Sequence, residues 1–196
     1  MGHITKTAVG VPLTTIAKEE SDGVARLPGD KPCRLHISGE TADTAHAMLL
    51  AAAAEVYTAK HGQPVFTKTH NWKSIPRAAF GSISVLASCE YPHQVAEANA
   101  LGYAAALLIP DFPNDKKVCW YRGVKVLPCP AAVDEKVHCN RLKPKKGRDS
   151  GYCCGSKTGQ GFCMRDGWLK EHGLTIGLKI DSGNKAKAKE LTELLR

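Results

Sequence analysis

No apolar run in this sequence approaches the ~18 to 20 residues that cross a bilayer as a helix, so a helical membrane protein is not expected. The first residues, MGHITKTAVGVPLTTIAKEE, hold no continuous apolar stretch of the kind a secretory signal needs, and the expected location is the cytoplasm. Signatures of common chemistries are missing as well. There is no G-x-G-x-x-G, no G-x-x-x-x-G-K-[ST], no H-E-x-x-H and no G-x-S-x-G. Dinucleotide, P-loop, zincin and α/β-hydrolase readings therefore lack their usual support. No C-x-x-C pair occurs, and no internal repeat or low-complexity tract stands out.

What is present is unevenly distributed. The chain has 196 residues, 43% hydrophobic and 23% charged, which suits one soluble domain with a real core. From Asp115 to Arg165 twelve Lys or Arg face four Asp or Glu, a surplus of eight that equals the +8 of the whole chain. Six of the eight cysteines lie in the same segment: Cys119, Cys129, Cys139, Cys153, Cys154 and Cys163. Disulfides do not persist in a reducing compartment, so clustered thiols there point first to metal binding. A disulfide knot and inert thiols are the competing readings.

Short apolar runs alternate with helical stretches through most of the chain. Strands are expected at RLHIS (Arg34 to Ser38), PVFTKTH, SISVLAS, AAALLIP, VKVLP and TIGLKI. TADTAHAMLLAAAAEVYTAKHG reads as a helix of about five turns, with Thr41 or Thr44 as its cap and Gly62 as its stop. YPHQVAEANALG and RDGWLKEHG read as shorter helices, and NKAKAKELTELLR as a terminal one. Such alternation predicts an α/β fold of about six mostly parallel strands with crossover helices, as a partial β/α barrel or an open sheet, plus a Cys-rich loop. The expected organisation is an N-terminal extension (1–32), an α/β domain (33–181) carrying the basic Cys-rich loop (128–165), and a C-terminal helix (182–196).

Three sets of residues carry possible chemistry. Tetrahedral zinc takes thiolates and imidazoles. The candidates are Cys129, fixed at a strand end, Cys139, one or both of Cys153 and Cys154, and Cys163, with His138 in reserve. Four thiolates would equally hold an iron–sulfur cluster. Lys143, Lys145, Lys146, Arg148 and Lys157 could contact the phosphates of a nucleic acid or another acidic partner, with Tyr152, Trp120 and Tyr121 stacking on bases. The bland alternative is a solvated basic loop. Ligands of parallel sheets gather at the carboxyl ends of the strands, and those ends are polar here. Glu40, His70 and Glu90 form an acid/base set if strand order brings them together, while Cys89 beside Glu90 is either a nucleophile or an inert buried thiol. His36 and Lys68 lie within strands, on one face or the other.

The blocks RLHISGE, PVFTKTHNWKSIPRAAFGSISVLASCE, AEANALGYAAALLIP, VKVLPCP followed by spaced cysteines, and LTIGLKI together resemble a largely uncharacterised family of cysteine-rich proteins from bacteria and their phages. The likeness runs from about Arg34 to Ile180, and GHITKT extends it toward the start. It implies Cys129, Cys139, Cys153 or Cys154, and Cys163 as a ligand set. Two departures stand out: RLKPKKGRDSGY stretches the downstream cluster, and the family's upstream cysteine cluster is absent. The β/α pattern with SGE after an early strand is also similar to the partial barrel of radical S-adenosylmethionine enzymes, where such a turn holds the methionine amino group. That likeness implies Ser38, Gly39 and Glu40 as cofactor contacts. The C-x-x-x-C-x-x-C triplet of those enzymes is missing. The expectation is therefore either a truncated chain or a binding-only relative.

Overall fold

A computed structural model of the chain describes residues 10–29, 32–36, 40–110, 112, 117–133 and 161–180. Seven strands form one sheet: β1 Cys33–Arg34, β2 Val65–Thr69, β3 Ser84–Cys89, β4 Ala104–Ile109, β5 Cys119–Tyr121, β6 Val124–Pro128 and β7 Thr175–Lys179. The helices are α1 Leu13–Arg26, α2 Thr44–His61, α3 Pro92–Ala100, α4 Pro130–Val133 and α5 Asp166–Glu171. Short 3-10 turns occupy Asn71–Lys73, Arg77–Phe80 and Phe162–Met164. None of the described helices is long and apolar enough to cross a membrane.

The strands lie in the order β1-β2-β3-β4-β7-β6-β5. All neighbours are parallel except β5 and β6, which form an antiparallel hairpin. The first four strands step across the sheet in sequence. The chain then passes over one position, lays down the hairpin, and returns to insert β7 between β4 and β6. Right-handed crossovers place connections on opposite faces when the stepping direction reverses. The core is divided accordingly. Val85, Ala87, Cys89, Ala105, Leu107 and Ile109 pack with Ala47, Leu50 and Tyr57 of α2 and with Val95 and Ala98 of α3. The alternate residues Leu86, Ala104, Ala106 and Ile176 pack with Leu169 of α5. β3 and β4 are buried on both faces, which is why they read as near-continuous apolar runs. This is the open sheet rather than the barrel, with seven strands instead of the six expected. The added one is the edge strand β5.

Local chemistry explains the element ends. The cap of α2 is Asp43, not Thr41 or Thr44: its carboxylate accepts from the N–H of His46 at 2.8 Å. Gly62, at φ +65°, closes the helix and donates its N–H to the Thr58 carbonyl. β1 is shorter than Arg34 to Ser38 because His36 turns to φ +50°, outside the extended region. The stretch expected as an N-terminal extension contributes α1, which starts after Pro12 and ends before Pro28. Its Ala17, Ser21 and Val24 are buried, and Val24 joins the main core beside α2. The expected C-terminal helix 182–196 lies outside the described residues, as does most of the Cys-rich loop.

Candidate functional site

The densest polar cluster gathers beyond the carboxyl ends of β1 and β2, where α1 and the start of α2 close over the sheet edge. Its inner layer is Glu20 on α1, His36 just after β1, and His46 in the first turn of α2. One oxygen of Glu20 lies 2.8 Å from Nε2 of His36, and the other 2.9 Å from Nε2 of His46. The two rings stand edge to face with centroids 5.9 Å apart. One carboxylate oxygen and one nitrogen from each histidine all fall within 4.8 Å of one another, a grouping that could hold a metal ion.

The electrostatics follow from this geometry. Burial pushes the Glu20 carboxyl pKa up, but contacts with His36 and His46 and their charge outweigh that effect and bring it down to about 2. The two histidines differ in their outer contacts. Nδ1 of His46 accepts the N–H of Ala42 at 3.3 Å, so in this arrangement its proton sits on Nε2, facing Glu20. Nε2 of His36, despite its short distance to Glu20, has no partner aligned along its hydrogen-bonding direction. Its Nδ1 lies 3.4 Å from the Thr41 hydroxyl. His36 is thus held by a left-handed backbone with its Nε2 against the Glu20 carboxylate, and a non-glycine residue in that backbone region costs energy and commonly marks functional positions.

The outer layer is built from Glu40, Thr41, His70 and Asn71. Glu40 accepts the N–H of Thr41 (3.0 Å) with one oxygen and the N–H of His70 (2.8 Å) with the other. The second oxygen also meets Nδ1 of His70 at 3.2 Å. Asn71 donates to the Thr41 carbonyl at 2.7 Å. Adjacent parallel strands therefore do bring Glu40 and His70 together. With both oxygens occupied by backbone donors, Glu40 clips the loop after β1 to the loop after β2. Glu90 sits beyond β3, where its N–H donates to Gln94 at the start of α3 (2.7 Å). Cys89 is fully buried, and burial, reinforced by Glu97 and opposed by Lys73, pushes its thiol up to about 12. That is an inert packing thiol rather than a nucleophile. Ser38 and Gly39 lie outside the described residues.

Of the expected thiolate ligands, the described residues include only Cys129 and Cys163. Cys129 and Cys163 are both buried on the second face of the sheet. They occupy opposite ends of it. The backbone carbonyl of Cys163 accepts from Ser84 at the amino end of β3. Cys129 follows β6 at the carboxyl end, its N–H bonded to Gly177. Cys89, Leu107, Gly177 and Pro128 share one row of the sheet, so Cys129 lies one residue beyond that row and Ser84 five residues before it. At ~4.8 Å per strand and ~3.3 Å per residue, the two positions are separated by roughly 14 Å across the sheet and roughly 20 Å along it. Sulfurs sharing one zinc ion lie within ~4 Å of each other. A single ion cannot take both. Cys139, Cys153 and Cys154, and the basic residues Lys143, Lys145, Lys146 and Arg148, lie outside the described residues.

No protein-family model, curated protein or solved structure matches this chain. The likeness to the cysteine-rich family rests on the sequence blocks alone. Of the inner layer, sequence reading had singled out only His36, as a polar residue within a strand. Glu20 and His46 escaped it because they come from separate helices with no motif spacing. The one available signal was a histidine in an otherwise Ala- and Leu-rich helix.

Proposed function

We propose that the protein binds a divalent transition-metal ion, zinc in the first instance, through Glu20, His36 and His46. The observation that carries this reading is the convergence of three ligand atoms from three separate elements within 4.8 Å of one another. Two imidazoles and a carboxylate are a ligand set that zinc accepts, and three protein ligands leave a position open for water or substrate. Hard cations such as calcium and magnesium prefer all-oxygen sites and fit less well. His36 is ready for the role, because its other nitrogen can donate to Thr41 as metal-bound histidines usually require. His46 would have to give up its contact with Ala42 and move its proton from Nε2 to Nδ1, a tautomer change that frees Nε2 for the ion without releasing a proton.

The test is cobalt and zinc titration of chelator-stripped protein, by calorimetry and by the visible spectrum of the cobalt form. One ion per chain with nitrogen–oxygen ligation is expected, without a thiolate-to-cobalt charge-transfer band. His36→Gln should weaken binding by at least the ~10- to 100-fold that loss of a supporting contact alone costs. Wild-type affinity in both His36→Gln and His46→Gln, or a spectrum dominated by thiolate, would reject the assignment and return attention to the cysteines.

A further inference from the structure

A second candidate site lies at the other end of the sheet, along its hairpin edge. A cleft of about 890 Å³ runs between α3, the β5–β6 hairpin and the turn leading into β7. Its polar lining is cationic or neutral: Arg122 and Lys125 from the hairpin, His93 and Asn99 from α3, His172 before β7, and no carboxylate. Among the described residues neither Arg122 nor Lys125 has an ion-pair partner. Trp120, paired across the hairpin with Lys125, borders this cleft from the sheet face opposite α3 and is 69% exposed, the most exposed large hydrophobic residue described.

The hairpin tip adds an independent observation. Arg122 (φ +48°) and Gly123 (φ +79°) form the two-residue turn between β5 and β6, with both residues in the left-handed region. Asn, Asp or Gly usually occupies the first such position, because a bulky side chain is strained there. An arginine held at that cost beside the cleft is placed for something other than turn formation.

We propose that the hairpin edge bordering this cleft binds single-stranded nucleic acid, with a base stacked on Trp120 and the adjoining phosphates held by Lys125 beside it and by Arg122 at the tip. A cationic groove offering an exposed aromatic face is the chemistry that single strands use, since every base presents a flat surface and every linkage a negative charge. A nucleic-acid partner was expected from the sequence at the lysines of the Cys-rich loop. Trp120 was among the stacking aromatics of that expectation, while those lysines lie outside the described residues; the hairpin is at the sheet edge opposite β1, so this site does not depend on the metal assignment.

The experiment is fluorescence anisotropy of a labelled twelve-residue oligothymidylate with the full chain, in chelator, at two salt concentrations. Trp120→Ala should weaken binding ~5- to 100-fold, as loss of one stacked base does, while Trp120→Phe should retain it. Arg122→Gly relieves the turn, so the fold is kept, and it should lower affinity and flatten the salt dependence by about one phosphate contact. Three results would overturn the proposal. They are absence of binding by the wild-type chain, undiminished binding by Trp120→Ala and Arg122→Gly, and equal displacement by polyglutamate, which would mark a general acidic-partner surface.

Discussion

Substitution of Glu20 by Gln isolates the charge at the centre of the candidate site while keeping its shape. The Glu20 carboxyl is held at about 2, against an ordinary value of 4.5. A carboxylate whose folded value is depressed adds stability that is complete above its unfolded value and is lost as pH falls through the folded one. The difference of about 2.5 units, at about 1.4 kcal/mol per unit, gives an upper figure of roughly 3 kcal/mol. The side chain is 31% exposed, which screens part of it, so about 2 kcal/mol is expected. The assay is urea unfolding of metal-free wild-type and Glu20→Gln protein, followed by fluorescence and circular dichroism from pH 5.5 to pH 3. At pH 5.5 the variant should be less stable by about that amount. As the wild-type carboxylate takes up a proton between about pH 4.5 and 2, the gap should narrow, with most of it gone by pH 2 to 3. A gap that stays constant with pH, or no gap at pH 5.5, would show that the two imidazoles do not grip the charge as described.

Two further predictions test the frame around the sites. A β-carbon at Gly177, in the middle of β7, would fall 2.6 Å from both Phe112 and Val126, so Gly177→Ala should cost about 1 to 3 kcal/mol. Thermal unfolding should show this as a fall of about 2 to 4 °C per kcal/mol, and an unchanged midpoint would mean that the sheet gives way freely there. Asp166 at the start of α5 receives Nε and a terminal nitrogen of Arg77 (3.1 and 2.7 Å), while Arg77 also donates to the carbonyls of Gly81 and Ile83. Asp166→Asn leaves a half-buried guanidinium short of its counter-charge, and denaturant unfolding should register a loss of about 1.5 to 3 kcal/mol. A loss below about 0.5 kcal/mol would make it an ordinary surface pair.

The parallel strands were legible in the sequence because each is covered on both faces. AAALLI and SVLASC leave little room for charge, and α2, between β1 and β2, ends at Gly62 with the geometry that its sequence predicts. Two elements were hidden for physical reasons. β5 is three residues long and alternates half-buried Cys119 and Tyr121 with exposed Trp120, too short a pattern to register. α1 presents Ala17, Ser21 and Val24 inward, a stripe of small residues that carries little hydrophobic signal. The site residues were hidden by topology. Glu40 and His70 could be paired in advance because their strands are adjacent and parallel. Glu20 could not, since nothing in its own segment says that α1 folds back over α2. Cys129 and Cys163 are near in the chain but far apart in the sheet, because β6 and the turn at Cys163 serve opposite ends of it.

On the proposed reading, the same topology would set the terms on which a metal ion could enter beside Glu20. At the start of α2 the N–H of His46 is capped by Asp43, and the N–H of Ala42 is taken by the His46 ring. Without metal, the proton on Nε2 of His46 supplies the compensating contact, fixed there by the Ala42 N–H on the opposite side of the ring. An entering ion must displace that proton and reverse the polarity of Nδ1, so part of its binding energy goes into breaking the contact with Ala42. His36 faces no such demand, because a hydroxyl can accept as readily as it donates. On the proposed reading the two histidines are therefore unequal ligands. Glu20 and His36 hold the ion first, and His46 completes the set only once its ring has changed tautomer.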